Sequence, residues 1–287
     1  MSKQTVARMP SRSIAPARTT TRAASPSARP RESDEGSGKN YVAALGRGLA
    51  VIRAFGKQRE QLTLAEISKL VGLPRATVRR CLITLNTLGY VDTTGKYFRL
   101  SSQVLTLSQA YFSSSPLPHI AQPYLEQVSK TLGESCSVSV LCGDEVIYIA
   151  RSSRKRSASI HRDVGMNLPA YCTSMGRVLL GSLAKADLDA YFRRAVFTKY
   201  NHRTVVDKAV LRELIDEARN NGYCIVDGEF DVNLRAIAVP LHNMSGAVVA
   251  AVHVSTEPQR TTIPKMEAEF LPALRQAVSQ IRRALVG

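Results

Sequence analysis

The 287-residue sequence lacks the features of a membrane-spanning or secreted protein. It contains no run of about 18 apolar residues, which excludes a membrane-spanning helix of ordinary length. Its N-terminus is basic but has no apolar stretch like that of a secretory signal, so export is not expected. Five cysteines, an odd number without CxxC spacing, argue for reduced thiols rather than a disulfide framework or a zinc site. These absences predict a cytoplasmic protein with no membrane partner.

The short motifs of common enzyme sites are also missing: HExxH, GxSxG, a P-loop, and GxGxxG after a strand. Cys172, next to Tyr171, is a candidate nucleophile, although a single cysteine of this kind more often fills a small space in the core. The candidate metal-binding histidines are scattered, which favours surface or hydrogen-bonded roles for His161, His202, His242 and His253. We therefore expect no catalysis, no bound metal and no cofactor.

Positive charge is concentrated near the N-terminus. The net charge is +16, of which residues 1–40 carry +5, residues 41–113 carry +7 and the remaining 174 residues only +4. This asymmetry favours a polyanionic partner for the first part of the chain, although a solvated basic surface gives the same count. Residues 1–40 are rich in Ser, Thr, Ala, Pro and Arg without an apolar period. They are predicted to form a disordered basic arm, either an incidental tail or a source of weak contacts to nucleic acid.

Residues 41–100 begin with two helical patterns. The first, LGRGLAVIRAFGK, has apolar residues spaced along one helix face: Leu45, Leu49, Ile52 and Phe55. The second starts at Thr63, where Glu66 three residues later completes a capping box, and it ends at Gly72. Its predicted core residues are Leu64, Ile67 and Leu70.

A third helix completes a helix-turn-helix pattern. It begins at Pro74, continues through TVRRCLITLNTL and stops at Gly89, and its core face carries Val78, Leu82 and Leu85. Ser68, Gly72 and Val78 have the spacing of the small residue, turn glycine and core residue of such motifs. The first turns of a recognition helix enter the major groove of DNA, where arginine binds guanine edges or phosphates. We therefore predict contacts with double-stranded DNA from Arg75, Ala76, Thr77, Arg79 and Arg80.

Two strand signals, YVDT and KYFRL, follow the third helix and join at Thr94-Gly95. This hairpin is predicted to be the wing of the DNA-binding domain, with Lys96 and Arg99 near the DNA backbone. The alternative is a structural hairpin whose charges are incidental. A helix over LSSQVLTLSQAYF, within a linker at 101–118, either connects two domains or pairs with a second subunit.

From 119 to 287 the chain alternates helix and strand patterns. Strands are predicted over SCSVSVLC, EVIYIARS, SASIHRDV, YCIVDGE, RAIAVPLHN and AVVAAVHVS, with a closing helix near 264–286. The predicted fold class is α+β: an N-terminal winged helix-turn-helix domain followed by a mixed α/β effector-binding domain with an antiparallel sheet.

The stretch VGMNLPAYCTSMGRVLLG combines a Gly/Pro loop with a polar helix start at Thr173-Ser174-Met175. Free backbone N–H groups at such a start bind carboxylates readily, although capping by Thr173 alone also explains the pattern. His253 and Ser255 point the same way on a later strand, in an otherwise apolar run. Both need polar partners if they are buried. These features favour a ligand pocket.

The combination of a winged helix at about 45–100 with GMNLPAYCTSMGRVLLG and DGEFDVNLRAIAVPLHNMSGAVVAAVHVS resembles the IclR family of bacterial transcription regulators. The resemblance covers roughly residues 41–287. LPRATVRR and LPAYCTSMGRVLL are most similar to the branch that controls aromatic catabolism, which includes the protocatechuate, ketoadipate and hydroxybenzoate regulators. The resemblance implies a homodimer, or a dimer of dimers, on a partly palindromic operator. It also implies a small organic acid that alters DNA affinity or RNA polymerase recruitment.

Carried over by position, the resemblance places the ligand site on Ser174, Met175, Asp227, Glu229, Ala236, His253 and Ser255. Arg235 and His253 suit a second carboxylate or a phenol, which favours an aromatic acid or a ketoadipate-like dicarboxylate as the effector. Two other functions remain as alternatives at this point: an enzyme fused to a DNA-binding module, and a DNA-binding scaffold without a small-molecule ligand.

Overall fold

The structure is a computed structural model that describes residues 41–56, 59–153 and 163–285. These residues belong to two compact units whose boundary lies between Ser108 and Gln109. The predicted basic arm lies outside the described residues, as does most of the strand predicted over SASIHRDV; its last two residues, 163 and 164, are not in a strand. Within the described ranges, no helix combines the length and apolar character needed to cross a bilayer.

The first unit is a winged helix-turn-helix fold, as predicted. Its helices are α1 (Ala43–Arg53), α2 (Leu64–Val71) and α3 (Arg75–Thr87). Its strands are β1 (Leu62–Thr63), β2 (Val91–Thr94) and β3 (Tyr97–Leu100). They form an antiparallel sheet in the order β1-β3-β2, in which Leu62 pairs with Phe98. The two-residue strand β1 was not predicted, because it is too short to show an alternating pattern.

Local hydrogen bonds explain where α2 begins and ends. The Thr63 backbone N–H donates to Glu66 Oε2 at 2.8 Å, and the Glu66 N–H donates to Thr63 Oγ1 at 3.4 Å. Gly72 ends the helix with φ of 69°, a left-handed conformation that only glycine adopts without strain. The predicted capping box and C-terminal glycine are confirmed.

The core of this unit is formed by buried side chains from all three helices, among them Val51, Ile67, Val78 and Leu82. The predicted face of α1 is wrong in part. Leu45 is 65% exposed and Leu49 is 42% exposed, whereas Ala50, Val51 and Ala54 are buried. The helical period shows that α1 has an apolar face, but it does not show which part of that face packs against the other helices.

The segment after the wing forms α4 (Leu105–Ser114), preceded by a 3-10 turn at Ser102–Val104. The Ser101 hydroxyl caps that turn by accepting a hydrogen bond from the Gln103 N–H. No side chain of α4 is buried, and Leu105, Leu107 and Tyr111 are exposed.

The second unit is built on one six-stranded antiparallel sheet, which confirms the predicted fold class. Its strands are β4 (Ser135–Cys142), β5 (Glu145–Ser152), β6 (Asn167–Pro169), β7 (Cys224–Asp227), β8 (Arg235–His242) and β9 (Val248–Thr256). Their order is β6-β5-β4-β9-β8-β7. The strand β6 lies in the stretch that we had expected to be a loop, and it pairs with β5.

Helices cover both faces of this sheet. They are α5 (Leu117–Leu132), α6 (Ser174–Gly181), α7 (Lys185–Arg194), α8 (Lys208–Asn221), α9 (Ile263–Lys265) and α10 (Leu271–Ala284), with a π-helical turn at Met266–Phe270. Side chains such as Val138, Ile237 and Val252 face α5 and α10. The opposite face packs on α6 and α8 and includes Tyr148 and Val226.

The strand register places the polar residues of the sheet on the α6 side. His253 pairs with Ser137 on one neighbouring strand and with Ala238 on the other, and Ser255 pairs with Ala236. Directly paired residues share a face of an antiparallel sheet. The α6 side of the sheet is therefore partly polar although it is buried.

Candidate functional site

The turn between α2 and α3 is held by two local hydrogen bonds. The Gly72 N–H donates to the Ser68 carbonyl at 3.0 Å, and the Ser68 hydroxyl donates to the Leu73 carbonyl at 2.6 Å. The two bonds hold the residues between the helices in place. They therefore fix the direction in which α3 leaves the turn.

The N-terminal half of α3 presents its basic side chains to solvent. Arg75, Ala76, Arg79 and Arg80 are exposed, Thr77 is half-buried, and the core residues lie on the opposite face, as predicted. None of the three arginines forms an ion pair with any residue that the structure describes. Their guanidinium groups are thus available to phosphates or base edges.

The wing residues differ from each other in their surroundings. Lys96 is exposed at the hairpin turn, 5.4 Å from the centroid of the Tyr97 ring. Arg99 is exposed but lies within 3.2 Å of the Asp92 carboxylate on the paired strand. Asp92 therefore offsets part of the positive charge of Arg99, and Lys96 is the less neutralised of the two.

Sequence reasoning missed Asn86, which joins α3 to the wing. Its side-chain amide donates to the Val91 carbonyl at 2.7 Å, at the start of β2. An asparagine near the end of a predicted helix gave no signal that its partner lay five residues later. This bond ties the wing to the helix that carries the arginines.

A partly open cavity lies between α6 and the sheet in the second unit, and its space, counted together with the open solvent at its mouth, is about 360 Å³. Its described lining is Tyr148, Leu168, Cys172, Thr173, Ser174, Met175, Val226, Glu229, Phe230, Asp231, Leu234, Ala236 and His253. Five of the predicted ligand residues are in this lining: Ser174, Met175, Glu229, Ala236 and His253. None of the described lining residues is lysine or arginine.

The start of α6 supplies hydrogen-bond donors to this cavity. Thr173 is the N-cap, and its hydroxyl accepts a hydrogen bond from the Gly176 N–H at 3.2 Å. The N–H groups of Ser174 and Met175 have no acceptor among the described residues. The Ser174 hydroxyl is buried and also lacks a hydrogen-bond partner there. Buried polar groups normally have partners, so this cluster is suited to an anionic ligand.

The carboxylate of Glu229 reaches the cavity from the loop after β7. One of its oxygens, Oε2, accepts from Arg177 Nη2 at 2.7 Å and from the Val205 N–H at 3.3 Å. Arg177 is 2% exposed, and its Nε donates to the Tyr171 carbonyl at 2.9 Å. Sequence reasoning missed Arg177, because its partner is 52 residues away along the chain.

Three predicted ligand residues lie outside this lining: Asp227, Arg235 and Ser255. Arg235 donates to both oxygens of Asp227, at 2.9 and 2.8 Å, and to the Thr261 carbonyl at 2.6 Å. Hydrogen bonds from the Arg235 guanidinium lower the pKa of Asp227 below its ordinary value. Three of the five N–H donors of Arg235 are therefore bound within the protein, and Arg235 is not in the cavity lining, so a second carboxylate at Arg235 stays a prediction.

His253 and Ser255 lie on the same face of β9, as predicted, and both are buried. The His253 ring is in the cavity lining, with its centroid 5.4 Å from that of Tyr148. Ser255 lies farther along the strand, opposite Ser135 and Ala236. The two residues therefore have different access to the cavity.

Cys172 also lines the cavity, but burial raises the pKa of its thiol to about 12. At neutral pH the thiol is protonated, which is the unreactive form. All five cysteines are free thiols. No cluster of three or more His, Cys, Asp or Glu side chains suited to a metal ion occurs in the part of the chain that the structure describes.

Comparison with known families matches both units. Residues 44–95 match the IclR helix-turn-helix domain, and residues 109–283 match the bacterial transcriptional regulator IclR C-terminal domain. The chain is 44% identical to the Pca regulon regulatory protein of Pseudomonas putida over 249 residues, 86% of each chain. It is 33% identical to the p-hydroxybenzoate hydroxylase transcriptional activator of Acinetobacter baylyi, covering 89% of this chain and 96% of that one.

Among solved structures, the chain is similar to an IclR homologue from Microbacterium hydrocarbonoxydans in complex with 4-hydroxybenzoate. The TM-score is 0.70 with 25% identity, covering 84% of this chain and 98% of that chain. The family matches cover both the exposed basic helix and the unit that contains the cavity. This chain therefore belongs to the IclR family of bacterial transcriptional regulators, with a DNA-binding helix-turn-helix domain and an effector-binding domain.

Proposed function

We propose that this regulator binds an aromatic carboxylic acid in the cavity beside α6 and thereby controls genes of aromatic catabolism. The observation that carries the proposal is the start of α6, where the N–H groups of Ser174 and Met175 and the buried Ser174 hydroxyl have no partner among the described residues. The rings of Tyr148 and Phe230 line this cavity and offer apolar contacts to an aromatic ligand. The solved relative that contains 4-hydroxybenzoate supports the same ligand class.

A ketoadipate-like dicarboxylate is the less favoured effector. The described lining offers no lysine or arginine for a second carboxylate, and it already contains Glu229 and Asp231. Two carboxylates close together repel each other in a buried site. The other proposed ligand contacts are Ala236 and His253. Arg235 and Asp227 pair with each other outside the lining, and Ser255 also lies outside it.

DNA binding is assigned to the exposed face of α3, with Arg75, Ala76, Thr77, Arg79 and Arg80, and to the wing residues Lys96 and Arg99. We propose that the protein acts in the cytoplasm as a homodimer or a dimer of dimers, and that the effector changes DNA affinity or the recruitment of RNA polymerase. The domain limits that we propose are 41–100 for DNA binding, 101–118 for the linker and 119–287 for the effector. A non-enzymatic role is supported by the protonated thiol of Cys172.

The effector proposal is tested by calorimetric titration with 4-hydroxybenzoate and with adipate. We expect 4-hydroxybenzoate to bind, and at about 100 times its Kd to add about 2.7 kcal/mol to the stability of the protein. Ser174→Ala should weaken binding by about tenfold, since it removes a buried donor. Ser182→Ala, at the other end of α6, is the matched control and should bind as wild type. Stronger binding of adipate, or equal affinity of the two serine variants, contradicts the proposed site.

A further inference from the structure

Arg177 joins the two sides of the cavity. Its Nε holds the carbonyl of Tyr171, just before the start of α6, and its Nη2 holds the carboxylate of Glu229 in the opposite loop. The loop that carries Glu229 is also fixed through its backbone. The Glu229 carbonyl accepts hydrogen bonds from the Thr204 hydroxyl at 2.6 Å and from the Asn201 side-chain amide at 3.0 Å. The carboxylate is therefore held in one position beside the cavity.

This position presents a difficulty for an anionic ligand. Glu229 is buried and lines the same cavity as the free N–H groups at the start of α6. An unscreened carboxylate there would repel a bound carboxylate, because buried charges interact strongly. Arg177 is itself almost completely buried, and its charge offsets that of Glu229 at 2.7 Å.

We propose that Arg177 is a positioning residue for effector specificity: it holds and neutralises Glu229 so that the cavity accepts an organic anion. The proposal rests on the function proposed above. The proposal predicts that loss of the ion pair weakens anion binding by more than the loss of folding stability accounts for. Without Arg177, the charge of Glu229 would no longer be offset, and it would oppose a bound anion.

Several other titratable or charged groups lie near Glu229. They are Cys172 before α6, Cys224 on β7, Asp231 in the same loop, Tyr148 on β5 and His253 on β9. All of them stay in place when only Arg177 and Glu229 are changed. A difference between the pH profiles of such variants is therefore due to the ion pair.

The test is the affinity of the full chain for 4-hydroxybenzoate between about pH 6 and about pH 8.5. In Arg177→Met the affinity should fall by about tenfold relative to wild type, and its pH profile should differ from that of wild type, since the charge of Glu229 is no longer offset. The double variant Arg177→Met/Glu229→Gln removes both charges, and its profile should run parallel to that of wild type. Arg177→Lys keeps the charge and should keep the wild-type profile with about threefold weaker binding.

Thermal unfolding of each variant separates folding from binding. Removing one partner of a buried ion pair is strongly destabilising, whereas removing both is often tolerated. If Arg177→Met does not fold, Glu229→Gln alone is compared with the double variant. Glu229→Gln leaves the positive charge of Arg177 near the cavity. It should therefore bind 4-hydroxybenzoate at least about three times more tightly than the double variant does.

The outcomes are separable. Absence of 4-hydroxybenzoate binding by wild type overturns the proposed function and this inference with it. Binding by wild type with a parallel pH profile for Arg177→Met overturns the role of Arg177 alone. Equal affinities of Glu229→Gln and the double variant for 4-hydroxybenzoate also overturn the role of Arg177.

Discussion

The close contact between Gly176 and Ala170 makes a direct test of how tightly the start of α6 is packed. A Cβ atom on Gly176 would lie 2.0 Å from the Ala170 carbonyl oxygen and 2.4 Å from its Cα, whereas ordinary contacts begin at 3.4 Å. Both atoms of Ala170 belong to the backbone, so no side-chain rotation relieves the overlap. Gly176→Ala must therefore move the helix start or the preceding loop by about 1 Å or more.

We expect Gly176→Ala to destabilise the second unit by about 3 kcal/mol, the upper part of the range for overpacked sites. For a unit of this size the midpoint of thermal unfolding should fall by about 6–12 °C. Binding of 4-hydroxybenzoate should weaken by about tenfold or more, since the N–H groups of Ser174 and Met175 move with the helix start. Calorimetric unfolding and titration measure the two effects.

Gly181→Ala is the matched control, because it lies in the same helix but its Cβ would be 3.2 Å from the Ile215 carbonyl oxygen. Alanine also favours the helix by about 1 kcal/mol over glycine, so a small contact is offset and the net change should stay within about 1 kcal/mol. A Gly176→Ala protein that unfolds within about 2 °C of wild type and keeps its affinity would refute the packing argument.

Three further substitutions test the other features. If Arg79 binds a base, Arg79→Ala should weaken the free energy of operator binding by about 1–3 kcal/mol and relax the sequence preference. If Arg79 binds a phosphate, the substitution should weaken binding to all sequences alike. Anisotropy titrations with operator and scrambled DNA distinguish the two. Asp227→Asn should lower the free energy of unfolding by about 2 kcal/mol at neutral pH, because the ion pair with Arg235 is lost. The pKa of Asp227 is lowered in the folded state, so the difference from wild type should vanish as the pH falls below about 4. Unfolding measured at pH values above and below about 4 checks this. Thr63→Ala should cost about 1 kcal/mol by removing the capping box with Glu66, whereas Thr63→Ser should be close to wild type in urea unfolding.

The parts of the fold that depend on neighbouring residues were predictable from the sequence. Thr63 caps α2 through a residue three positions later, and Gly72 ends that helix through its own backbone freedom. The start of α6 at Thr173 follows the same rule. In each case the partners lie within one helical turn, so the sequence pattern contains the whole interaction.

The parts that depend on distant partners were not predictable. The exposure of Leu45 depends on how α1 meets the other helices, which its own period does not specify. The ion pair of Arg177 with Glu229 and the pairing of Arg235 with Asp227 join separate segments. Family resemblance placed Glu229 in the predicted ligand site, but only the coordinates showed that Arg177 holds its carboxylate and that Arg235 pairs with Asp227.

The separation of tasks on α3 has a consequence for the evolution of the regulator. Val78, Leu82 and Leu85 hold the helix in its unit, and the Ser68 bond sets its exit from the turn, while Arg75, Arg79 and Arg80 make no ion pair within the described chain. Under the proposed DNA contacts, new side chains at these three positions would change which operator the helix binds while the core of the unit stays the same. The proposal then implies that a few surface substitutions are enough to give such a regulator a different operator, in evolution or by engineering.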